Sequence, residues 1–182
     1  MNTRPFVQQR PPLLGFAAWS GTGKTTLLTA LLPRLRARGL RLACIKHAHH
    51  AFDVDHPQKD SYRLRHAGAE QMLIASDQRW ALMVETPEPS SAPRLADLVA
   101  QLDSQRADLI LVEGFKAERF PKIELHRAEL DRPWLYPDDP DIFALASDVA
   151  PPSTAHPWVH LNDLDAIEQL VLDFLQAARS AV

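Results

Sequence analysis

Apolar residues along the chain follow two rhythms. Short unbroken runs, "LLGFAAW" at 13–19, "RLACI" at 41–45, "DLILVEGF" at 108–115 and "IFALA" at 142–146, have the length and continuity of strands buried on both faces. Between and after them lie stretches with a helical period. Leu27, Leu28, Leu31, Leu32 and Leu35 share one face of a helix that starts near Lys24 and stops at Gly39, with Pro33 predicting a kink. Leu164, Ile167, Leu170, Val171, Phe174 and Leu175 mark a final helix in the same way. "KIELHR" and "WVHL" read as further strands, Leu95, Leu98, Val99 and Leu102 as a short amphipathic helix, and "SYRLRHAG" as a short helix ended by Gly68. "QMLIA" and "WALMVE", joined by "SDQR", predict a hairpin or adjacent strands, expected to pack on the sheet or to serve a dimer surface. Strand, glycine loop, helix, strand is the opening unit of an α/β protein. The expectation is a three-layer P-loop NTPase fold, a mostly parallel sheet flanked by helices, with the hairpin added.

The stretch "AWSGTGKTTLL" joins the first strand to the first helix. A phosphate chain needs inward-facing backbone N–H groups, a flexible cation and a hydroxyl able to enter the shell of Mg²⁺. Residues Ser20, Gly21, Thr22, Gly23, Lys24, Thr25 and Thr26 supply all three. Gly21 and Gly23 allow close backbone approach, Lys24 reaches the β and γ phosphates, Thr25 is the Mg²⁺ ligand and Thr26 donates to the α phosphate. Ala18 stands where the strict pattern has glycine. In "LILVEG" the acid at the end of a neighbouring strand, Glu113, is the second Mg²⁺ group, and the Gly114 N–H is placed to sense the γ phosphate, which would make 114–121 a switch. Asp108 opens the same strand and is expected to be a solvated cap. Lys24, Glu113 and Asp60 are the candidate catalytic groups.

The loop "KHAHHAFDVDHPQKDSYR" concentrates charge after the second strand, where long loops tend to be functional. His47 and His49 share a side in an extended segment, a spacing open to a transition metal, but no Cys pair completes a shell. The loop is therefore read as phosphate-side and partner-side machinery, with His47, His49 and Asp53 as contacts. The guanine pattern [NT]-K-x-D is absent, the only asparagines being Asn2 and Asn162. Asp148, after "ALAS", stands where a carboxylate could accept the guanine N1–H and N2–H. These residues leave GTP and ATP both open.

Composition narrows the setting. At 182 residues and 46% hydrophobic, the chain suits one domain over 13–182 behind a loose, proline-containing tail at 1–12. A net charge of -3 supplies no field for nucleic acid or anionic membrane, so neither is an expected partner. The lone Cys44, inside an apolar run, predicts a buried structural thiol in a reducing compartment. The early apolar stretch is too short and too broken for a signal or a span, and the expected location is the cytoplasm.

Taken together, "SGTGKTTLL", "IKHAHHAFDVDHPQKDSYRLRHAGA", "DLILVEGFK" with "PKIELHR", and "ALASD" resemble the molybdopterin-guanine dinucleotide biosynthesis adaptor family, MobB, from about Leu13 to Phe174. The first element is common to P-loop proteins; the others are far more specific. The resemblance implies a GTP-binding homodimer of the class that includes metallochaperone GTPases. It also implies a partner, the guanylyltransferase MobA, which joins GMP to molybdopterin, and raises direct contact with molybdopterin itself. On that basis Gly21, Gly23, Lys24, Thr25 and Thr26 form the phosphate site, Glu113 and Gly114 the Mg²⁺ and γ-phosphate side, and Asp148 a guanine contact. Hydrolysis is expected to be slow, on the order of 10⁻⁴ to 10⁻³ per second, because no arginine finger stands out. Arg63, Arg65 and Arg119 are the candidates. The alternatives are a P-loop small-molecule kinase and a nickel- or zinc-handling GTPase.

Overall fold

The computed structural model describes residues 10–48, 52–86, 92–152 and 155–180. Six strands build one sheet: β1 (Leu13–Ala18), β2 (Leu42–Lys46), β5 (Leu109–Glu113), β6 (Lys122–His126), β7 (Ile142–Ser147) and β8 (Trp158–His160). Their order is β2-β5-β1-β6-β7-β8, and every pairing is parallel. The helices α1 (Lys24–Ala37) and α4 (Leu164–Ser180) belong to the same unit. Because β1 is followed by β2 on one side and flanked by β6 on the other, the sheet reverses its direction of growth beside β1. A crevice opens there at the carboxyl ends of the strands, the usual ligand position in open α/β sheets.

All six residues of β1 are buried, which is why its sequence is unbroken rather than alternating. Leu14, Phe16 and Ala18 join Leu28, Leu31 and Leu35 of α1 and Ile167 and Val171 of α4 in the main core. Ala17 faces the other way, to Ile142, Leu145 and Trp134. Gly15 interrupts the run because Phe120 occupies the space of its side chain: an added Cβ would sit 2.5 Å from Phe120 Cε2. α1 passes through Pro33 and ends as expected, with Gly39 in the left-handed region at φ 82°. Glu168, buried in α4, accepts from Arg34 Nε at 2.5 Å and Arg38 Nε at 2.7 Å, joining the two helices by a charged clasp.

Residues Ala48–Leu98 form a second compact unit, inserted between His47 and Val99 of the first. It contains α2 (Asp60–His66) and the antiparallel pair β3 (Gln71–Ala75) and β4 (Trp80–Val84), a hairpin as predicted, and ends within α3 (Leu95–Val99). Its strands are not buried: Leu73, Ile74, Trp80, Leu82 and Val84 are all exposed, where core positions were expected.

Three further expectations change. Cys44 is exposed, because β2 is an edge strand and has only one neighbour to cover it. Asp108 is held by Arg41 rather than by solvent, accepting from the Arg41 backbone N–H at 2.8 Å and from its Nε and Nη2 at 3.0 and 2.8 Å. Residues 1–9 of the predicted tail lie outside the described residues, but Pro11 and Pro12 are buried, so the core begins ahead of Leu13. Among the described residues no helix is long and apolar enough to cross a membrane.

Candidate functional site

The turn from β1 into α1 carries Gly21 and Gly23 in the left-handed region, at φ 84° and 97°, with Gly23 as the residue that caps α1. Thr22 is buried and locks the loop on itself, its hydroxyl donating to the Trp19 carbonyl at 2.8 Å. Lys24 Nζ lies across the loop, donating to the Ala18 and Trp19 carbonyls at 3.3 and 3.2 Å. Ala18 thus meets the loop through its backbone oxygen, which an alanine provides as well as a glycine does. Burial holds the Lys24 ammonium below its ordinary pKa; Glu113 opposes that shift, while Lys116 and Lys46 add to it. An anion brought to this point would relieve the cost of the crowded cations.

Glu113 ends β5 beside β1 and β2, in register with Phe16 and Lys46. Its carboxylate accepts from the Thr25 hydroxyl at 3.3 Å and pairs with Lys46 Nζ at 3.2 Å. The two predicted Mg²⁺ groups are therefore adjacent, although 88 residues separate them in sequence. Exposed Thr25 and a carboxylate are hard oxygen donors, the set Mg²⁺ takes when most of its shell is water and phosphate.

Past Glu113 the chain turns sharply. Gly114 has φ 99°, and a Cβ there would lie 2.7 Å from His47 Cβ, so no other residue fits without moving β2. Phe115 continues in the left-handed region at φ 54°, with its ring 4.8 Å from that of His47. Backbone conformations of this kind concentrate at functional sites. His47, a predicted loop contact, is thus packed against the Gly114 turn. Its backbone N–H donates to the Glu113 carbonyl at 2.8 Å.

On the opposite flank, Arg127 Nε donates to the Thr22 carbonyl at 2.9 Å, and Arg127 Nη1 lies 4.0 Å from Asp148 Oδ2. Asp148 Oδ1 accepts from the Ala128 backbone N–H at 3.0 Å. Beside this pair is a cleft of about 220 Å³ lined by Thr22, Gly23, Thr26, Arg127, Leu161 and Asn162 among others. It begins at the phosphate loop and ends at the loop after β8. The sequence reading set Asn162 aside because it lay outside the guanine pattern, and missed Arg127 altogether. The signal for both was their place just after a strand end, in "ELHR" and "VHLN".

Asp53 and Asp60 belong to the second unit, where Asp53 accepts from Arg65 at 2.7 Å and Asp60 lies 3.6 Å from Arg63. His49 lies outside the described residues. Of the finger candidates, Arg119 is committed to buried Asp141, and Arg65 to Asp53 and Glu85. The cations that do gather at the loop are Lys46 and Lys116 on one side and Arg127, which was not a finger candidate, on the other. Among the described residues no three His, Cys, Asp or Glu side chains converge as a metal-binding group.

Trp19 is itself fixed. Its Nε1 donates to the Pro133 carbonyl at 2.8 Å, and the segment beyond is held by Glu124, a buried carboxylate accepting the Leu135 and Tyr136 N–H groups, both at 2.8 Å. Burial raises the Glu124 pKa; the two backbone donors oppose the rise.

The sequence profile of the family described as "MobB: Molybdopterin guanine dinucleotide synthesis protein B" matches residues 13–148. The chain is 50% identical over 166 residues to the "Molybdopterin-guanine dinucleotide biosynthesis adapter protein" of Escherichia coli K12, covering 91% of this chain and 94% of that one. It is 51% identical over 128 residues to the Haemophilus influenzae protein of the same name, covering 70% of each. Among solved structures, a MobB homolog from Bacillus stearothermophilus aligns with a TM-score of 0.68 at 25% identity, covering 91% of this chain and 98% of its own. Bacillus subtilis MobB, at 22% identity and a TM-score of 0.70 over 89% of this chain and 96% of its own, shares the fold. A match across β1, the phosphate loop, Glu113 and Asp148, together with half-identity over nearly the full length, places this chain in the MobB family.

Proposed function

We propose that the chain is a GTP-binding adaptor in molybdenum cofactor biosynthesis, serving the guanylyltransferase MobA in converting molybdopterin to its guanine dinucleotide. The observation that carries this reading is the convergence of Lys24, Thr25 and Glu113 at the carboxyl ends of β1 and β5, in a chain half-identical to a named adaptor. The parallel-sheet unit binds the nucleotide, with residues 48–98 as its insertion. The loop N–H groups and Lys24 bind the phosphates, Thr25 and Glu113 hold Mg²⁺, and the Gly114 turn meets the γ phosphate. When bound, Mg²⁺ would neutralise charge on the phosphates. The base enters the cleft beside Arg127, Asn162 and Asp148. There the Asp148 carboxylate accepts guanine N–H groups that adenine lacks.

Hydrolysis is slow in this reading, since Arg119 and Arg65 are engaged elsewhere. The chain presents GTP more than it consumes it. A cytoplasmic homodimer is part of the proposal, and the exposed apolar side chains of β3 and β4 supply the kind of surface a second copy would cover.

Reconstitution tests the adaptor role. Guanine dinucleotide formation by the guanylyltransferase from molybdopterin and Mg²⁺-GTP is expected to accelerate when the wild-type chain is added, and not when Lys24→Ala is added. Equal rates with and without the wild-type chain would overturn the role.

A further inference from the structure

Beyond the groups that hold the phosphates in the reading above, one cation is displayed at the mouth of the loop with no assigned task. Lys116 follows Gly114 and Phe115, whose successive left-handed conformations swing the chain from the end of β5 back toward the phosphate loop. The turn is pinned on both sides. Phe115 packs on His47, the Glu118 N–H donates to the Phe115 carbonyl at 3.0 Å, and the Glu118 carbonyl accepts from buried Lys122 Nζ at 2.7 Å. Lys116 is thereby carried at the exposed tip of a braced turn. Its Nζ lies 4.6 Å from the centroid of the Trp19 ring, and Trp19 is the residue whose carbonyl holds Lys24 Nζ at 3.2 Å.

A cation over the half-buried indole is a weaker attraction than a charge-assisted hydrogen bond to a phosphate oxygen, which displaces it. No carboxylate among the described residues pairs with Lys116, whereas Lys46 is bound to Glu113 and Arg127 to the Thr22 carbonyl. Trp19 does not depend on Lys116 for its place, because its indole N–H is tied to Pro133 and Arg132 also lies over its ring, at 5.7 Å. Lys116 can leave the ring without unmaking the loop.

We propose that Lys116 is a γ-phosphate-reading residue: in the resting protein its ammonium is parked on Trp19, and in the triphosphate complex it moves to the terminal phosphate. This assignment rests on the nucleotide-binding reading. It adds to it a means of telling triphosphate from diphosphate that uses a side chain of the turn as well as its backbone. It also supplies from within the chain part of the charge stabilisation of the terminal phosphate.

The test compares affinities for GTPγS and GDP, each with Mg²⁺, in the wild-type chain, Lys116→Gln, Lys116→Arg and Arg132→Gln. Lys116→Gln is expected to weaken GTPγS roughly tenfold, the loss of one charge-assisted hydrogen bond, and to leave GDP within about twofold. Lys116→Arg is expected to restore most of the loss, and Arg132→Gln to leave the ratio of the two affinities unchanged. Equal weakening of both nucleotides by Lys116→Gln, or no weakening of either, would overturn the assignment. A wild-type chain that binds neither nucleotide would instead overturn the reading beneath it.

Discussion

Strand β5 carries an acid at each end, and the two are held in opposite ways. Asp108, at its start, is saturated: Arg41 offers it a backbone N–H and two guanidinium N–H groups, which hold its carboxyl down to about 2. Glu113, at its finish, has longer contacts at 3.2–3.3 Å, with a lysine and a hydroxyl that would themselves belong to a ligand site. An acid whose lone pairs are filled by one rigid fork has nothing left to offer a ligand. An acid held loosely, beside strained backbone and crowded cations, keeps that capacity. The acid at the amino end of β5 thus serves stability, and the one at its carboxyl end is left open to the proposed ligand.

Substitutions can break this contrast, and the largest effect is expected at the carboxyl end. Lys24→Ala should lower affinity for Mg²⁺-GTP roughly a hundredfold, since it removes charge-assisted bonds to two phosphates, while leaving thermal unfolding nearly unchanged. Calorimetry and a melting curve on the same sample check both halves. Gly114→Ala mixes the two roles: the 2.7 Å approach to His47 and the φ of 99° predict a loss of about 1–3 kcal/mol in stability and a weaker response to triphosphate. Denaturant titration measures the first. Thr25→Ala should abolish the gain in GTP affinity that Mg²⁺ confers, with Thr25→Ser keeping it, read by titration with and without the ion.

The smallest effect belongs to the amino end. Asp108→Asn is expected to cost about 1 kcal/mol, once solvent screening of the partly exposed pair is counted, and to leave nucleotide affinity untouched. The same pair predicts a pH dependence. The Asp108 carboxyl titrates near 2 in the fold against 3.8 ordinarily, so the native state releases its proton more readily than the unfolded one. Its contribution is complete above pH 3.8 and is lost as pH falls through 2. The difference in stability between wild type and Asp108→Asn should therefore shrink on acidification over that window; a difference that grows there would contradict the pairing.

These two ends were unequally legible in the sequence. The phosphate loop could be read because its chemistry is local: glycines, lysine and hydroxyls within seven residues, between a strand and a helix. Glu113 could be read because an apolar run stops on it. Lys46 could not, since it reaches the candidate site only through the order β2-β5-β1-β6-β7-β8, which no local pattern encodes; Lys116 fell within the predicted switch without a role of its own, and Arg127 and Asn162 were marked only by their places after strand ends. Cys44 misled for the same reason: its run is apolar enough for a central strand, but β2 is at the edge. Asp108 was misread because its partner, Arg41, lies 67 residues away at the start of the neighbouring strand.

In the proposed function, the carboxyl end of this sheet holds a guanine nucleotide through its phosphates and its base. The most direct measurement is a paired calorimetric titration of the wild-type chain with GTP and with ATP, both with Mg²⁺. Saturable binding of GTP with at least roughly tenfold preference over ATP is expected, the discrimination of one carboxylate matched to guanine N–H groups. Preference for ATP would contradict it and would favour a kinase that passes the γ phosphate to an acceptor.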